Sequence, residues 1–375
     1  MNRKEISEIR RRFNLDRTAI TCVRGCYVNE RREIVSTFNT SLQALPQEEA
    51  EKYLALFKRT LAGVPGRNLL DIQFRPDQVM DDEAHELLMS LRNTALTVDS
   101  GVQMLCDRII DGTEMEGNYL ILMLHDAYDV PFQHRDEYKT DVISEDVFQY
   151  VMVCLCPVKL TKPALSYFAD DNAFHSRDLE WVVTAPELGF MFPTFDDRAT
   201  NIYSALYFTR DAADVHADFI DAVFHAEAPM PAEAQKESFQ AVLEDALDED
   251  LSFGVVQTVH ERLRDMIEEN DQDKAAGPLV VSKRDVGRLL MNAGVSEEKM
   301  EAFSERFDQE FGENADLRAS NIVEAKKFEV KTPDVVLHVN PERSDLIETR
   351  VIDGFKYILI RAEEGVEVNG VNITL

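Results

Sequence analysis

The sequences NYLILML (residues 118–124) and VMVCL (residues 151–155) are nearly continuous apolar runs. Runs of this length are typical of strands that are buried on both faces of a sheet. Shorter β-branched or aromatic runs follow at residues 181–183, 189–195 and 202–209, separated by Asp-rich turns. We therefore predict that these segments form one mostly antiparallel sheet, which is the core of the fold.

The residues before this sheet carry helical and hairpin patterns. Apolar side chains recur at helical spacing in residues 4–13, 48–61, 82–95 and 101–110, which predicts helices flanking the sheet. Alternating residues around the polar turn Asn29-Glu30-Arg31-Arg32 predict a hairpin between residues 20 and 38.

The second half of the chain is first helical and then β-rich. Five helices are predicted between residues 215 and 311, and Ser282 with Asp285 forms a capping box. Short strands follow from residue 327, with Asp353-Gly354 as a hairpin turn. We predict an α+β fold with three regions: residues 1–210 form an α/β sheet domain, 211–325 an acidic helical region and 326–375 a small β unit. The best linker candidate is residues 271–278.

Composition limits the class of protein. The 375 residues carry a formal charge of -30, with 45% hydrophobic and 29% charged residues, which is typical of a globular chain of two or three domains. There is no run of 18 uninterrupted apolar residues, so we expect no membrane span and no membrane partner. A charged N-terminal segment and five sparse cysteines predict a cytoplasmic protein with reduced thiols.

Basic residues are concentrated near the N-terminus. Residues 1–35 contain nine basic and five acidic side chains. Arginines clustered in this way can contact phosphates, so they are our candidate nucleic-acid-binding residues. The alternative is a solvated helix face paired with acidic helices. The candidates are Arg10, Arg11, Arg12, Arg17 and Arg24.

Two other patterns keep different functions open. His125-Asp126 follows a buried run and could serve a metal-dependent hydrolase, although no further metal-ligand spacing accompanies the pair. The alternative is a hydrogen-bonded strand end. Residues 205–275 contain eighteen acidic and five basic side chains, which suits a scaffold for a basic protein partner. We predict no resident metal, no cofactor and no catalytic residue.

Six segments of the chain resemble one bacterial family. The chain is similar throughout to domain-of-unknown-function family 4317, a resemblance that implies no particular activity. The C-terminal half also resembles the bacterial nucleoid-associated protein family in the order of its elements. These are a strand at 205–208, a helix at 215–224, a helix beginning at Gln235 and tail strands at 327–331, 335–340 and 356–360. The family 4317 segments are NRKEISEIR (2–10), GCYV (25–28), GNYLIL (117–122), CPV (156–158), FPTFDDR (192–198) and KTPDVV (331–336).

The second resemblance implies a nucleoid-linked binding protein. Our preferred hypothesis is therefore a non-enzymatic cytoplasmic protein that binds macromolecules at the nucleoid. A metal-dependent hydrolase using His125 and Asp126, and an acidic protein-interaction scaffold, remain the alternatives.

Overall fold

The computed structural model describes residues 1–130, 147–273, 276–362, 365–368 and 370–373. It divides into two units, Met1–Ala232 and Glu233–Leu375. Residues 274 and 275 of the predicted linker lie outside the described residues. We predicted three regions with a first boundary at residue 210, whereas the first unit here extends about one helix further. No helix in the described ranges is both long and apolar enough to cross a bilayer.

The first unit contains twelve strands and six helices in its described part. The helices are α1 (Arg3–Arg10), α2 (Gln47–Thr60), α3 (Pro76–Asp81), α4 (Glu83–Asn93), α5 (Asp99–Gly112) and α6 (Ala217–Phe224). The strands are β1 (Cys22–Val28), β2 (Ile34–Ser41), β3 (Leu69–Gln73), β4 (Asn118–Asp129), β5 (Val147–Leu160), β6 (Leu165–Phe168), β7 (Ala173–Ser176), β8 (Trp181–Val183), β9 (Leu188–Phe192), β10 (Thr194–Asp196), β11 (Ala199–Asn201) and β12 (Ser204–Thr209).

Eight of these strands form one antiparallel sheet. The order is β2-β1-β4-β5-β9-β12-β3, and β8 pairs with the end of β5. The two apolar runs are the adjacent strands β4 and β5, with Leu122 opposite Cys154. The α+β prediction and the predicted antiparallel sheet with flanking helices are confirmed.

Helices cover both faces of the sheet. Alternate residues of β4 point to opposite faces, so they join two different cores. Tyr119, Ile121 and Met123 join a core that includes residues of α4, α5 and α6. Leu120, Leu122 and Leu124 join a second core with residues of α1 and α2. The face on which a β4 side chain lies therefore decides which helices it meets.

The second unit has its own core. Phe239, Leu263, Leu290 and Phe307 from four different helices are buried together. The capping box of Ser282 with Asp285 is confirmed. The helices are α7 (Ala232–Leu247), α8 (Phe253–Gln272), α9 (Lys283–Asn292), α10 (Glu297–Phe311) and α11 (Ala319–Ile322).

The strands of the second unit pair only as hairpins or two-stranded ribbons within the described residues. The predicted turn at Asp353-Gly354 joins β17 to β18, and both turn residues have the positive φ angles that this tight turn requires. The strands are β13 (Val280–Ser282), β14 (Asp316–Arg318), β15 (Phe328–Lys331), β16 (Val336–Val339), β17 (Ile347–Ile352), β18 (Phe355–Ile360), β19 (Val366–Val368) and β20 (Val371–Ile373).

Candidate functional site

Arg12 and Asp126 form an ion pair beneath the N-terminal helix. Helix α1 ends at Arg10, and the side chain of Arg12 reaches down to β4. Its Nη2 donates to Oδ1 of Asp126 at 2.8 Å, and its Nε donates to Oδ2. The Asp126 side chain is fully buried, whereas that of Arg12 is 13% exposed. A bidentate pair of this kind is among the stronger charge-assisted contacts.

Two tyrosines complete the surroundings of this pair. The hydroxyl of Tyr150 donates to Oδ2 of Asp126 at 2.9 Å, so both carboxylate oxygens are engaged. The guanidinium carbon of Arg12 lies 4.6 Å from the centre of the Tyr128 ring. Burial raises the pKa of the fully enclosed Tyr150 phenol well above its ordinary value, and the neighbouring Asp126 raises it further. Tyr150 is therefore a neutral donor at physiological pH.

The network continues to the surface through Glu8. The Tyr128 hydroxyl donates to Glu8 at 2.5 Å, and Nη1 of Arg198 donates to the same carboxylate at 2.9 Å. Burial, followed by the hydrogen bond to Glu8, raises the pKa of Tyr128 to about 12. Two arginines thus balance two carboxylates, which leaves this cluster near neutrality and its charged groups paired with one another.

His125 lies on the opposite side of the sheet from Asp126. The two residues are consecutive on β4, so their side chains point to different faces. Burial lowers the pKa of His125, and the nearby Arg92 lowers it further, while Asp126 and Gln149 act in the opposite direction. This arrangement does not bring the His125 and Asp126 side chains together around one metal ion. Within the described ranges, no three His, Cys, Asp or Glu residues form a group able to hold a metal.

The five candidate arginines differ in their surroundings. Arg12 faces Asp126. Arg24 donates to the Leu96 carbonyl at 2.5 Å and to Asp99, and only 13% of its side chain is exposed. Arg11 and Arg17 are exposed, whereas the Nε of Arg10 is buried without a hydrogen-bond partner in the part of the chain that is described. Two of the five charges are therefore held by carboxylates of this chain.

A groove between α7 and α10 offers a different kind of site. Its volume is about 350 Å³, and all of its lining residues belong to the second unit. Ala241 supplies exposed apolar surface, whereas Val242 is only 5% exposed, and the other lining residues are polar or charged. The lining residues are Glu237, Ser238, Ala241, Val242 and Asp245 from α7 with Arg306, Gln309 and Glu310 from α10.

The polar groups of this groove are only partly paired. Ser238 donates to Glu310 at 2.6 Å, and Arg306 lies 3.7 Å from Asp245. Glu237 is exposed and has neither a hydrogen bond nor an ion pair in the described part of the chain. The groove therefore combines three carboxylates with a single cation, which favours a positively charged ligand.

A comparison with protein families tests the resemblance of the whole chain to family 4317. The family described as "Domain of unknown function (DUF4317)" matches residues 1–371. The chain belongs to this family. No curated protein matches the chain. The likeness of the C-terminal half of this DUF4317 chain to the nucleoid-associated protein family is not shown by the comparisons, and it stays a prediction.

The groove of this DUF4317 chain was not predicted from the sequence. Glu237, Ala241 and Asp245 recur at intervals of four residues, so helical spacing alone places them on one face of α7. The sequence carries no comparable signal that α10 lies opposite this face. The acidity of the region was recognised, but the position of a concave surface within it was not.

Proposed function

We propose that this DUF4317 chain is a non-enzymatic cytoplasmic protein that binds a basic segment of another protein. The observation that carries the proposal is the α7–α10 groove. It is lined by three carboxylates, those of Glu237, Asp245 and Glu310, and by a single arginine, Arg306. Its cytoplasmic location is supported by five free cysteines, since reduced thiols suit that compartment.

The groove suits lysine or arginine side chains in particular. These side chains bury an aliphatic stem on apolar surface while keeping the charged head among polar groups. Ala241 provides exposed apolar surface, and Glu237 provides a carboxylate without an internal partner in the described residues. The acidic surplus of residues 205–275 adds long-range attraction for a basic partner. The hydrolase alternative has less support, because His125 and Asp126 point to opposite faces of the sheet.

A labelled decalysine peptide tests this proposal directly. We expect saturable binding by fluorescence anisotropy at low salt, weakened at 200 mM salt because exposed charges are screened. Changing Glu237 and Glu310 together to glutamine should weaken binding about fivefold, since each exposed charge pair contributes about 0.2–1 kcal/mol. Glutamine keeps the size of the side chain and an oxygen that accepts the Ser238 hydrogen bond.

Glu301→Gln with Glu305→Gln is the matched control, because both are exposed residues of α10 that do not line the groove. It also removes two negative charges and should leave the affinity nearly unchanged. Equal weakening by the groove and control variants would show a diffuse charge effect and would count against a site.

A second candidate is direct contact with nucleic acid at the nucleoid, favoured by the exposure of Arg11 and Arg17. If this contact exists, labelled duplex DNA binds at 50 mM salt and loses at least about tenfold in affinity at 200 mM. Arg11→Ala with Arg17→Ala should flatten the salt dependence, whereas the exposed Arg59→Ala on α2 should not. Absence of DNA binding at 50 mM salt would leave the basic protein segment as the proposed ligand.

A further inference from the structure

Strand β2 forms one edge of the eight-stranded sheet. It pairs with β1 on one side, and no strand in the described part of the chain pairs with its other side. The eight residues of β2, IVSTFNTS, include no charged residue and no proline. Edge strands usually carry such residues, because they prevent another strand from adding to the sheet. From Ser36 to Ser41 this edge lacks that protection, and the one irregularity of the β1–β2 ladder lies before Ser36, at Val35.

The pairing of β2 with β1 shows which main-chain groups of β2 point away from the sheet. The Leu42 amide, just beyond β2, donates to the Thr21 carbonyl at 2.9 Å, across the same edge at which β1 pairs with β2. In an antiparallel ladder, alternate residues direct their N–H and C=O groups to opposite sides. The main-chain N–H and C=O groups of Phe38 and Thr40 therefore point toward β1. Those of Thr37, Asn39 and Ser41 point outward, away from the sheet.

The side chains of β2 do not cover this outer edge. The ring of Phe38 lies over Gly25 of β1, where a Cβ atom would come within 2.8 Å of it. Phe38 therefore leans toward the interior of the sheet. Val35, by contrast, is 58% exposed, and Thr37, Asn39 and Ser41 are also exposed. The edge is thus accessible along most of its length.

We propose that β2 pairs antiparallel with β2 of a second copy of this chain, which joins the two sheets across a two-fold axis. A second copy presents an equally uncharged strand, so the pairing places no like charges opposite each other despite the net charge of -30. The turn before β2 is balanced in charge, because the exposed Glu30 and Glu33 flank Arg31 and Arg32. Antiparallel pairing therefore brings a turn without net charge, rather than a second acidic segment, toward the end of β2 that leads to the partner's acidic first turn of α2.

Sedimentation equilibrium of the full-length protein tests this pairing. The expected mass is that of two chains for the unmodified protein and of one chain for Thr37→Pro. Proline at residue 37 removes an outward N–H while leaving the bonds to β1 in place. Thr37→Lys is a second disrupting variant, because it places like charges at the joined edges. Thr37→Val keeps the N–H and should remain dimeric.

Thermal unfolding of each variant separates loss of pairing from loss of fold. A monomeric Thr37→Pro or Thr37→Lys with an intact far-UV circular dichroism spectrum supports the proposal. A single-chain mass for the unmodified protein would overturn it, as would a two-chain mass for both disrupting variants. If Thr37→Pro fails to fold, Thr37→Lys decides the question. None of these residues lines the α7–α10 groove, so peptide binding can succeed or fail independently.

Discussion

Replacing Arg12 with alanine should lower the free energy of unfolding by about 3–5 kcal/mol, the usual effect of removing one partner from a buried ion pair. The Asp126 side chain has no exposed surface, and after the substitution the Tyr150 hydroxyl would be its one remaining hydrogen-bond donor among the described residues. Urea denaturation followed by far-UV circular dichroism measures the change as a lower transition midpoint.

Arg11→Ala is the matched control for this prediction. Arg11 is the adjacent arginine and is exposed to solvent, so its removal should change stability by no more than about 0.5 kcal/mol. The double variant Arg12→Met with Asp126→Leu should recover much of the loss, because it removes both charges together. Similar midpoints for Arg11→Ala and Arg12→Ala would contradict the central role of the ion pair.

The sheet could be predicted because its signal is local. Residues 118–124 and 151–155 are apolar at nearly every position, and short runs of this kind are typical of strands covered on both faces. The Asp353-Gly354 turn is equally local, since two consecutive residues with positive φ specify it. Assignment of α6 to the first unit depends instead on distant packing. Phe219 and Phe224 of α6 are buried in the core on one face of the sheet. No pattern in the sequence indicates that α6 packs against this sheet.

The candidate site was predicted less well, because its contacts join distant parts of the chain. Arg12 and Asp126 are 114 positions apart, so local charge counting assigned Arg12 to a free basic patch. The predicted strand ended at residue 124, whereas β4 continues to Asp129. Placing His125 and Asp126 inside the strand would have put them on opposite faces by alternation alone. Ending the predicted strand at residue 124 therefore left His125 and Asp126 as candidates for one shared metal site.

Gly25→Ala should destabilise the protein by about 3 kcal/mol, the upper part of the range for overpacking a well-filled interior. A Cβ atom at this position would lie 2.2 Å from the Ile121 carbonyl oxygen and 2.8 Å from the Phe38 ring. The Phe38 ring could move, but Ile121 belongs to the backbone of the adjacent strand β4. Relief of the first clash therefore requires β1 and β4 to separate, which weakens their shared ladder.

Gly101→Ala is the control for this last substitution. The nearest atom to a Cβ at residue 101 is the Leu91 Cδ2 at 3.3 Å, the end of a side chain that can adjust. Alanine also favours the helix that contains this residue by up to about 1 kcal/mol over glycine. Urea denaturation should therefore show a large loss for Gly25→Ala and little change or a small gain for Gly101→Ala. A tolerated Gly25→Ala would mean that β1 does not approach β4 this closely at Gly25.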